Sequence, residues 1–420
     1  MTHYVLMYNT ALRLVRVAFR KASTWLVSEH GKPNKTLSRI VATVHDSNKH
    51  LYQSKEYQKT MTNLYQWGIV YDPKTNHRGK CILPTCFRKP SPNINFQQVS
   101  CGTNFTVVLD TLNQVYIIGD EPKNGRLGQN DDTTIVSALT LLKSIPLVTY
   151  ISCGTASTLL MTVDKELWGF GKGIGQQPRK ILDNNELQGS ITHCTCSQNS
   201  IVIVIDFSRV HEICFNQSGF TTTFKEVFRL IDSDTIQTID VGSSLGAFVT
   251  QNGQIYLWGS VPVRGSSNEK YADVPITAPV IRNLDENSAD KPVHVSCSRG
   301  QFHPHALLLT ANGLVYSIGS NYKGKLGITP DTATFCSSWT FVTVSQTIPF
   351  KQICAGGIHS SALSMMNEVY TWGCGSDGRL GHPESEGHRY LYKEGIPRKI
   401  DTLSNVQYIS SSYYHMAAIA

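Results

Sequence analysis

Long apolar runs are missing from this chain, and no uninterrupted stretch approaches the ~18–20 residues that a bilayer-spanning helix needs. Charge is sparse, at 16% of 420 residues, and the formal net charge of +7 favours an acidic partner only weakly. Acidic residues are absent altogether from Met1 to Ser28. Paired carboxylates are absent from the repeated core described below. No Ser/His/Asp or Cys/His order suggests a relay, so nothing commits the chain to covalent chemistry, and the reading is a non-enzyme with no catalytic, cofactor or metal residues. The compact apolar core and cleavage site of a secretory signal are also missing, so a reducing compartment without disulfides is expected. With 40% hydrophobic residues, the chain can still bury a large core.

What is present is repetition. Cys-Gly, or a small replacement for the glycine, recurs at Gly102, Gly154, Ser197, Gly242, Ser298, Gly356 and Ser412. These positions lie roughly 40–60 residues apart, as multi-strand blades do. A second motif, apolar-aromatic-x-Trp-Gly or a weakened form, ends at Gly68, Gly119, Gly169, Gly259, Gly319 and Gly373, with a faint copy near Phe215. Between the two lie short apolar runs such as Val107-Val108-Leu109 and Leu307-Leu308-Leu309. Turn signals such as Asn252-Gly253 and Asn312-Gly313 follow, so each unit reads as β-hairpins.

A unit of this length cannot bury its own apolar face and must stack on its copies. The two motif series are offset. Trp67-Gly68 has no Cys-Gly half before it, and Tyr408 to Ala420 has no Trp-Gly half after it. Pairing those ends gives six internal units and one shared unit. The expected fold is all-β, a seven-bladed β-propeller closed by pairing of N- and C-terminal strands, which leaves no open sheet edge. The domain would span 61–420, after an N-terminal helical or extended extension over 1–60.

Several features that suggest chemistry are better read as packing. Cys101, Cys153, Cys196, Cys297 and Cys354 are read as one repeat position near the ring interior. The glycine run from Gly169 to Gly175 coincides with a Trp-Gly position and lacks a P-loop Lys-Ser/Thr pair, so it is read as a tight inter-strand turn. His193 and Cys194-x-Cys196 have no second Cys pair nearby to complete a zinc site. His303-Pro304-His305 interrupts an otherwise regular unit, and the long connections Asp120 to Val148 and Ser260 to His294 separate strong ones. Loops on a rigid frame are where propellers meet partners. Arg264, Lys270, Tyr271, Arg282, His303 and His305 are therefore the candidate partner-binding residues.

These motifs resemble the regulator of chromosome condensation family of propeller repeats, over roughly Leu64 to Ala420. That family's unit is Cys-Gly-x-x-His-Ser-x-Ala-Leu, then apolar-Tyr/Phe-x-Trp-Gly, then Gly-x-Leu-Gly. Gly125-Arg126-Leu127-Gly128, Gly324-Lys325-Leu326-Gly327 and Gly378-Arg379-Leu380-Gly381 match the last element. The family's histidine is kept at His305, His359 and His415, and replaced by Phe105, Ser157, Ser200 and Leu245. The resemblance implies an end-to-end clasp and a protein-interaction propeller that regulates a small GTPase or scaffolds an organellar RNA–protein assembly. The alternative it implies is a guanine-nucleotide exchange factor for a Ran-like GTPase at chromatin. Exchange-active members carry acidic residues in several loops of one face, where this chain has Thr103-Asn104, Thr155-Ala156 and Ser243-Ser244. A propeller enzyme with a site in the central channel is the third reading.

At 100° per residue, Arg13, Arg16 and Arg20 share one helical face, with Leu12, Val15, Val17, Ala18, Phe19 and Leu26 elsewhere. An Arg-rich, acid-poor, amphipathic start describes a mitochondrial transit peptide, and a basic helix that docks on the propeller or a membrane is the alternative. Mitochondrial localisation is expected, with nuclear or cytoplasmic placement as the alternative.

Overall fold

The computed structural model describes residues 61–420, apart from the short segments 73–76, 121–124, 130–134, 183–186, 197–199, 215–222, 232, 285–289, 330–332 and 387–390. The expected N-terminal helix and transit segment lie outside the described residues. Among the described residues, twenty-nine strands form seven antiparallel sheets.

Blade 1 comprises β3 (Phe96–Gly102), β4 (Phe105–Asp110), β5 (Val115–Asp120) and β6 (Ile135–Leu141). Blade 2 comprises β7 (Val148–Cys153), β8 (Ser157–Thr162), β9 (Leu167–Gly171) and β10 (Gly175–Leu182). Blade 3 comprises β11 (Ile191–Cys196), β12 (Ser200–Ile205), β13 (Arg209–Cys214) and β14 (Thr223–Arg229). Blade 4 has five strands: β15 (Ile236–Val241), β16 (Leu245–Thr250), β17 (Ile255–Pro262), β18 (Tyr271–Val274) and β19 (Val280–Ile281). Blade 5 holds β20 (Pro292–Cys297), β21 (His305–Thr310), β22 (Val315–Ser320) and β23 (Phe335–Phe341). Blade 6 holds β24 (Phe350–Ala355), β25 (His359–Ser364), β26 (Val369–Cys374) and β27 (Lys393–Lys399).

Blade 7 is the expected clasp. Its order is β2 (His77–Phe87), β1 (Leu64–Asp72), β29 (His415–Ile419), β28 (Tyr408–Ser411), with Leu64 opposite Ile419 and Gly68 opposite His415. The innermost strand of each blade contacts that of the next, and β28 returns to β3, which closes the ring.

The second strand of most blades is buried along its whole length, because neighbouring blades cover both its sides. That explains the uninterrupted apolar runs in the sequence. The core is a ring of inter-blade clusters; in one of them Leu307 and Val315 of blade 5 meet Phe350, Ile353 and Trp372 of blade 6.

Strand registers define the repeat. His359 pairs with Gly373, His305 with Gly319, Leu245 with Gly259 and Phe105 with Gly119. Gly373 sits at φ +98 with an added Cβ 2.8 Å from the His359 backbone, so glycine is required there. Two sequence alignments need correction. Ser157 pairs with Gly171, not Gly169, so Phe170-Gly171 is the true Trp-Gly equivalent, while Trp168 pairs with Leu160. The Gly171–Gly175 run is indeed the turn between β9 and β10. Cys354 also lies one residue early. Ala355 holds the position of Cys297, because Ser296 Oγ accepts the Ala355 N–H just as Ser100 Oγ accepts that of Cys153.

Candidate interaction site

Two regions collect polar groups: the hub channel, and one propeller face at the seam between blades 4 and 5. In the hub of four blades, the residue before the Cys-type position offers an oxygen to the next blade. Ser100, Ser296 and Ser410 accept the backbone N–H of Cys153, Ala355 and Cys101 at 2.9–3.0 Å. In blade 4 this residue is Asp240. Its Oδ2 accepts the Cys297 N–H at 2.8 Å, and its Oδ1 accepts Arg299 Nη2 at 2.9 Å. Gln98 and Gln352 tie the backbone of Ile151 and Ile409 in two-bond clamps of 2.8–3.0 Å.

A cavity of about 480 Å³ opens among these residues, lined also by Tyr150, His193, His294 and Tyr408. Titratable groups therefore do gather in the channel; Asp240 is paired with Arg299, whereas His294 Nδ1 has no partner among the described residues. Tyr150 shows 41% of its surface to the channel, yet the walls desolvate its phenol and push it well above the ordinary value. Burial pushes the thiols of Cys101, Cys153, Cys194 and Cys354 up to about 12, so none is a nucleophile at neutral pH. His193 is turned to the Gln237 carbonyl at 3.2 Å. Among the described residues no group of three His, Cys, Asp or Glu side chains could hold a metal ion.

The face site is built on the β17–β18 loop, the β20–β21 loop and the 3-10 turn Tyr322–Gly324. His303 takes φ +55. Its Nδ1 lies 2.9 Å from Glu269 Oε1, and its ring stacks on Tyr322 at 4.7 Å between centroids. Tyr271 Oη is 3.1 Å from both the Pro304 carbonyl and Glu269 Oε1. Phe302 stands 70% exposed beside them. Beneath, Lys325 Nζ donates to the His303 carbonyl, and burial lowers that amine to about 7. His305 is buried, held by Ser360 Oγ at 2.9 Å. Because Ser360 donates its one hydrogen to the Lys325 carbonyl at 2.8 Å, His305 Nε2 must be the donor.

Of the sequence candidates, Tyr271 and His303 thus share one site, and His305 supports it from the core. Lys270 is exposed on the same loop, where its carbonyl accepts the Val263 N–H at 2.9 Å. Arg264 and Arg282 do not join them; they line a separate cavity at the outer edge of the seam. Sequence reading missed Glu269, Phe302 and Tyr322, whose roles depend on three loops meeting, and Asp240 with Arg299. The alternation that places Asp240 beside Ser100 and Ser296 was legible, because each precedes a Cys-type position.

Residues 367–419 match the model of the regulator of chromosome condensation (RCC1) repeat. The mitochondrial RCC1 domain-containing protein RUG3 of Arabidopsis thaliana is 25% identical over 305 residues, covering 64% of this chain and 62% of that protein. The probable E3 ubiquitin-protein ligase HERC6 of Homo sapiens is 26% identical over 196 residues, covering 46% of this chain and 18% of the ligase. The chain thus spans less than two thirds of the length of these curated relatives. The solved structure of Prp20p from Saccharomyces cerevisiae, described with its binding to Gsp1p and histones, superposes with a TM-score of 0.69 at 16% identity, covering 86% of this chain and 91% of that one. Seven blades, an end-to-end clasp and the repeat match together make this chain an RCC1-like repeat propeller.

Proposed function

We propose that this chain is a non-enzymatic protein-interaction propeller, and that the loop face between blades 4 and 5 contacts a protein partner, with a small GTPase the first class to test. The observation that carries this reading is the His303 cluster. His303 is hydrogen-bonded to Glu269 and stacked on Tyr322, Tyr271 reaches both Glu269 and the Pro304 carbonyl, and Phe302 stands exposed beside them, so that three separate loops meet in one cluster. Pre-ordered aromatic groups at a polar rim are the anatomy of a binding hot spot. Action on a GTPase would be conformational, with no bond made. The name of the Arabidopsis relative and the acid-free, Arg-bearing start of the chain support a mitochondrial setting. The binding of Prp20p to Gsp1p supports the alternative, exchange on a Ran-like GTPase in the nucleus. The RNA–protein assembly finds no support: Glu269 sits at the centre of the cluster, and RUG3, HERC6 and Prp20p are none of them described by an RNA partner.

The test compares C-terminally tagged full-length protein with F302D and Y271A forms, captured from cells. A GTPase recovered with the native protein and lost with both variants, at unchanged melting temperature, is the expected result. Its nucleotide-release rate is then measured with and without the propeller. Identical partner sets for all three forms would reject this face. Comparing the location of the full-length protein with a form starting at Lys32 separates the two settings: organellar staining that needs the first 31 residues supports the mitochondrial one.

A further inference from the structure

Arg264 and Arg282 line a cavity of about 540 Å³ with Ile281, Leu284, Ser338 and Trp339, at the outer edge of the blade 4–blade 5 seam. Neither arginine forms an ion pair among the described residues, and the one charge acting on Arg282 is the like charge of Arg264. Among the described residues, Arg282 donates from Nη1 only to the Ile281 carbonyl, at 3.3 Å, and its buried Nε has no partner. Desolvation and then the proximity of Arg264 both act against the Arg282 charge. Elsewhere the protein pairs such groups: Arg299, Arg398 and Arg229 each meet a carboxylate within 2.9 Å. The backbone of Arg282 is fixed, because Trp339 Nε1 donates to its carbonyl at 2.7 Å and its N–H donates to the Ile255 carbonyl at 2.8 Å.

From this geometry we infer that the cavity is a binding site for a phosphoryl group carried by an extended segment of a partner protein. Two guanidinium groups lining one cavity match a phosphomonoester, which carries about −1.5 to −2 at pH 7 and three acceptor oxygens. A single carboxylate would leave one positive charge unmet. The cavity is far larger than one phosphate needs, and Ile281 and Leu284 give it an apolar wall for the flanking residues. β19 pairs only with β17 among the described residues. Since Arg282 N–H points inward to Ile255, alternation along an antiparallel strand turns the Ile281 amide toward the open edge, where an extended peptide can add. This inference is independent of the face site, and neither stands or falls with the other.

The experiment measures fluorescence anisotropy of two labelled degenerate peptide pools, centred on phosphoserine and on serine, against full-length protein. Native protein should bind the phosphoserine pool at least about tenfold more tightly, the effect of charge-assisted hydrogen bonds to one group. R264A and R282Q should each lose about tenfold or more, with melting temperatures near native, whereas F302D should bind as native does. Equal binding of both pools, or R264A binding as native does, overturns the proposal. Inorganic phosphate competing as tightly as the phosphoserine pool, or vesicles with anionic lipid binding through Arg264 while the pool does not, overturns the peptide assignment. Asp285 and Glu286 follow Leu284 in sequence. If native protein binds neither pool and D285N/E286Q binds the phosphorylated one, the chain neutralises its own arginines and the proposal fails.

Discussion

Replacing Asp240 by alanine tests whether the hub is held by side-chain oxygens passed from blade to blade. The substitution strands five donors: the N–H groups of Val241 and Cys297, the Nη2 of Arg299, and the hydroxyls of Thr195 and Ser296 at 3.4 Å. Arg299 keeps a second acceptor, the Val241 carbonyl at 2.6 Å, and 23% of its side chain faces the channel. Removing one partner of a buried ion pair costs about 3–5 kcal/mol, and this residual solvation places D240A near the lower end. At about 2.1 cal/mol/K per residue, a domain spanning Met61–Ala420 has an unfolding entropy near 0.75 kcal/mol/K, so about 3 kcal/mol lowers Tm by roughly 4 °C. Urea unfolding and calorimetry read this directly. The neighbouring blades supply a sharper control. Ser100, Ser296 and Ser410 do the same task without charge, so D240S/R299A should recover to within about 1 kcal/mol of native, the scale of one hydrogen bond. A D240A form within about 0.5 kcal/mol of native, or a double variant as unstable as D240A, would refute the reasoning, since independent sites simply add.

Trp67→Phe removes the indole donor to the Arg379 carbonyl (3.1 Å) that ties blade 6 to the clasp blade, and should cost about 1–2 kcal/mol in chemical unfolding; no loss would mean that this bond is immaterial to closure. Lys325 titrates in the folded state at about 7 against an ordinary 10.5, so above pH 7 the unfolded chain holds a proton that the folded one has released. Stability should therefore rise from pH 7 to 8.5, by at most about 1.4 kcal/mol per unit, and the rise should vanish in K325M; a K325M profile identical to native would sink it. His305 and His359 are held well below their ordinary value by burial, so acid stability should fall as pH drops below about 6.5. A thiol reagent at pH 8 should label exposed Cys86 first and leave Cys101, Cys153 and Cys297 intact until unfolding, which mass mapping checks.

How much of this was legible in sequence differs by level. The seven units, the clasp and the hub position shared by His305, His359, His415 and Leu245 all follow from period and offset, because stacking units must repeat their packing residues. The alignment failed where two motifs overlapped. Trp168-Gly169-Phe170-Gly171 offers two Trp-Gly-like registers, and only the pairing of Ser157 with Gly171 chooses between them. The face cluster was half legible. Tyr271 and His303 stood out as an insertion and an interruption, but Glu269, which lies against both, looked like one loop carboxylate among many. Arg264 and Arg282 were grouped with them by sequence proximity, whereas β19 returns the chain along β17 and places the pair at the blade's outer edge.

The seam between blades 4 and 5 is where the repeat rule is both broken and replaced. Between blades 5 and 6, Trp372 Nε1 donates to the Lys325 carbonyl of the preceding Gly-x-Leu-Gly loop at 2.9 Å. Between blades 6 and 7, Trp67 does the same to Arg379 at 3.1 Å. Gly327 and Gly381 make room for those indoles, for an added Cβ at Gly327 would lie 2.8 Å from the Trp372 nitrogen. Blade 4 has no such loop, and the Trp position of blade 5 is Ile318, which has nothing to donate. The same bond is nevertheless made. Trp339, on the outermost strand of blade 5, donates to the Arg282 carbonyl in the blade 4 insertion at 2.7 Å, while Tyr271 reaches the Pro304 carbonyl at 3.1 Å. Moving the latch outward holds the insertion rigid at two points, under the His303 cluster and beside the arginine pair. A segment fixed that way has lost its ordering cost before any partner arrives, which is the physical reason to place binding here rather than on the regular seams.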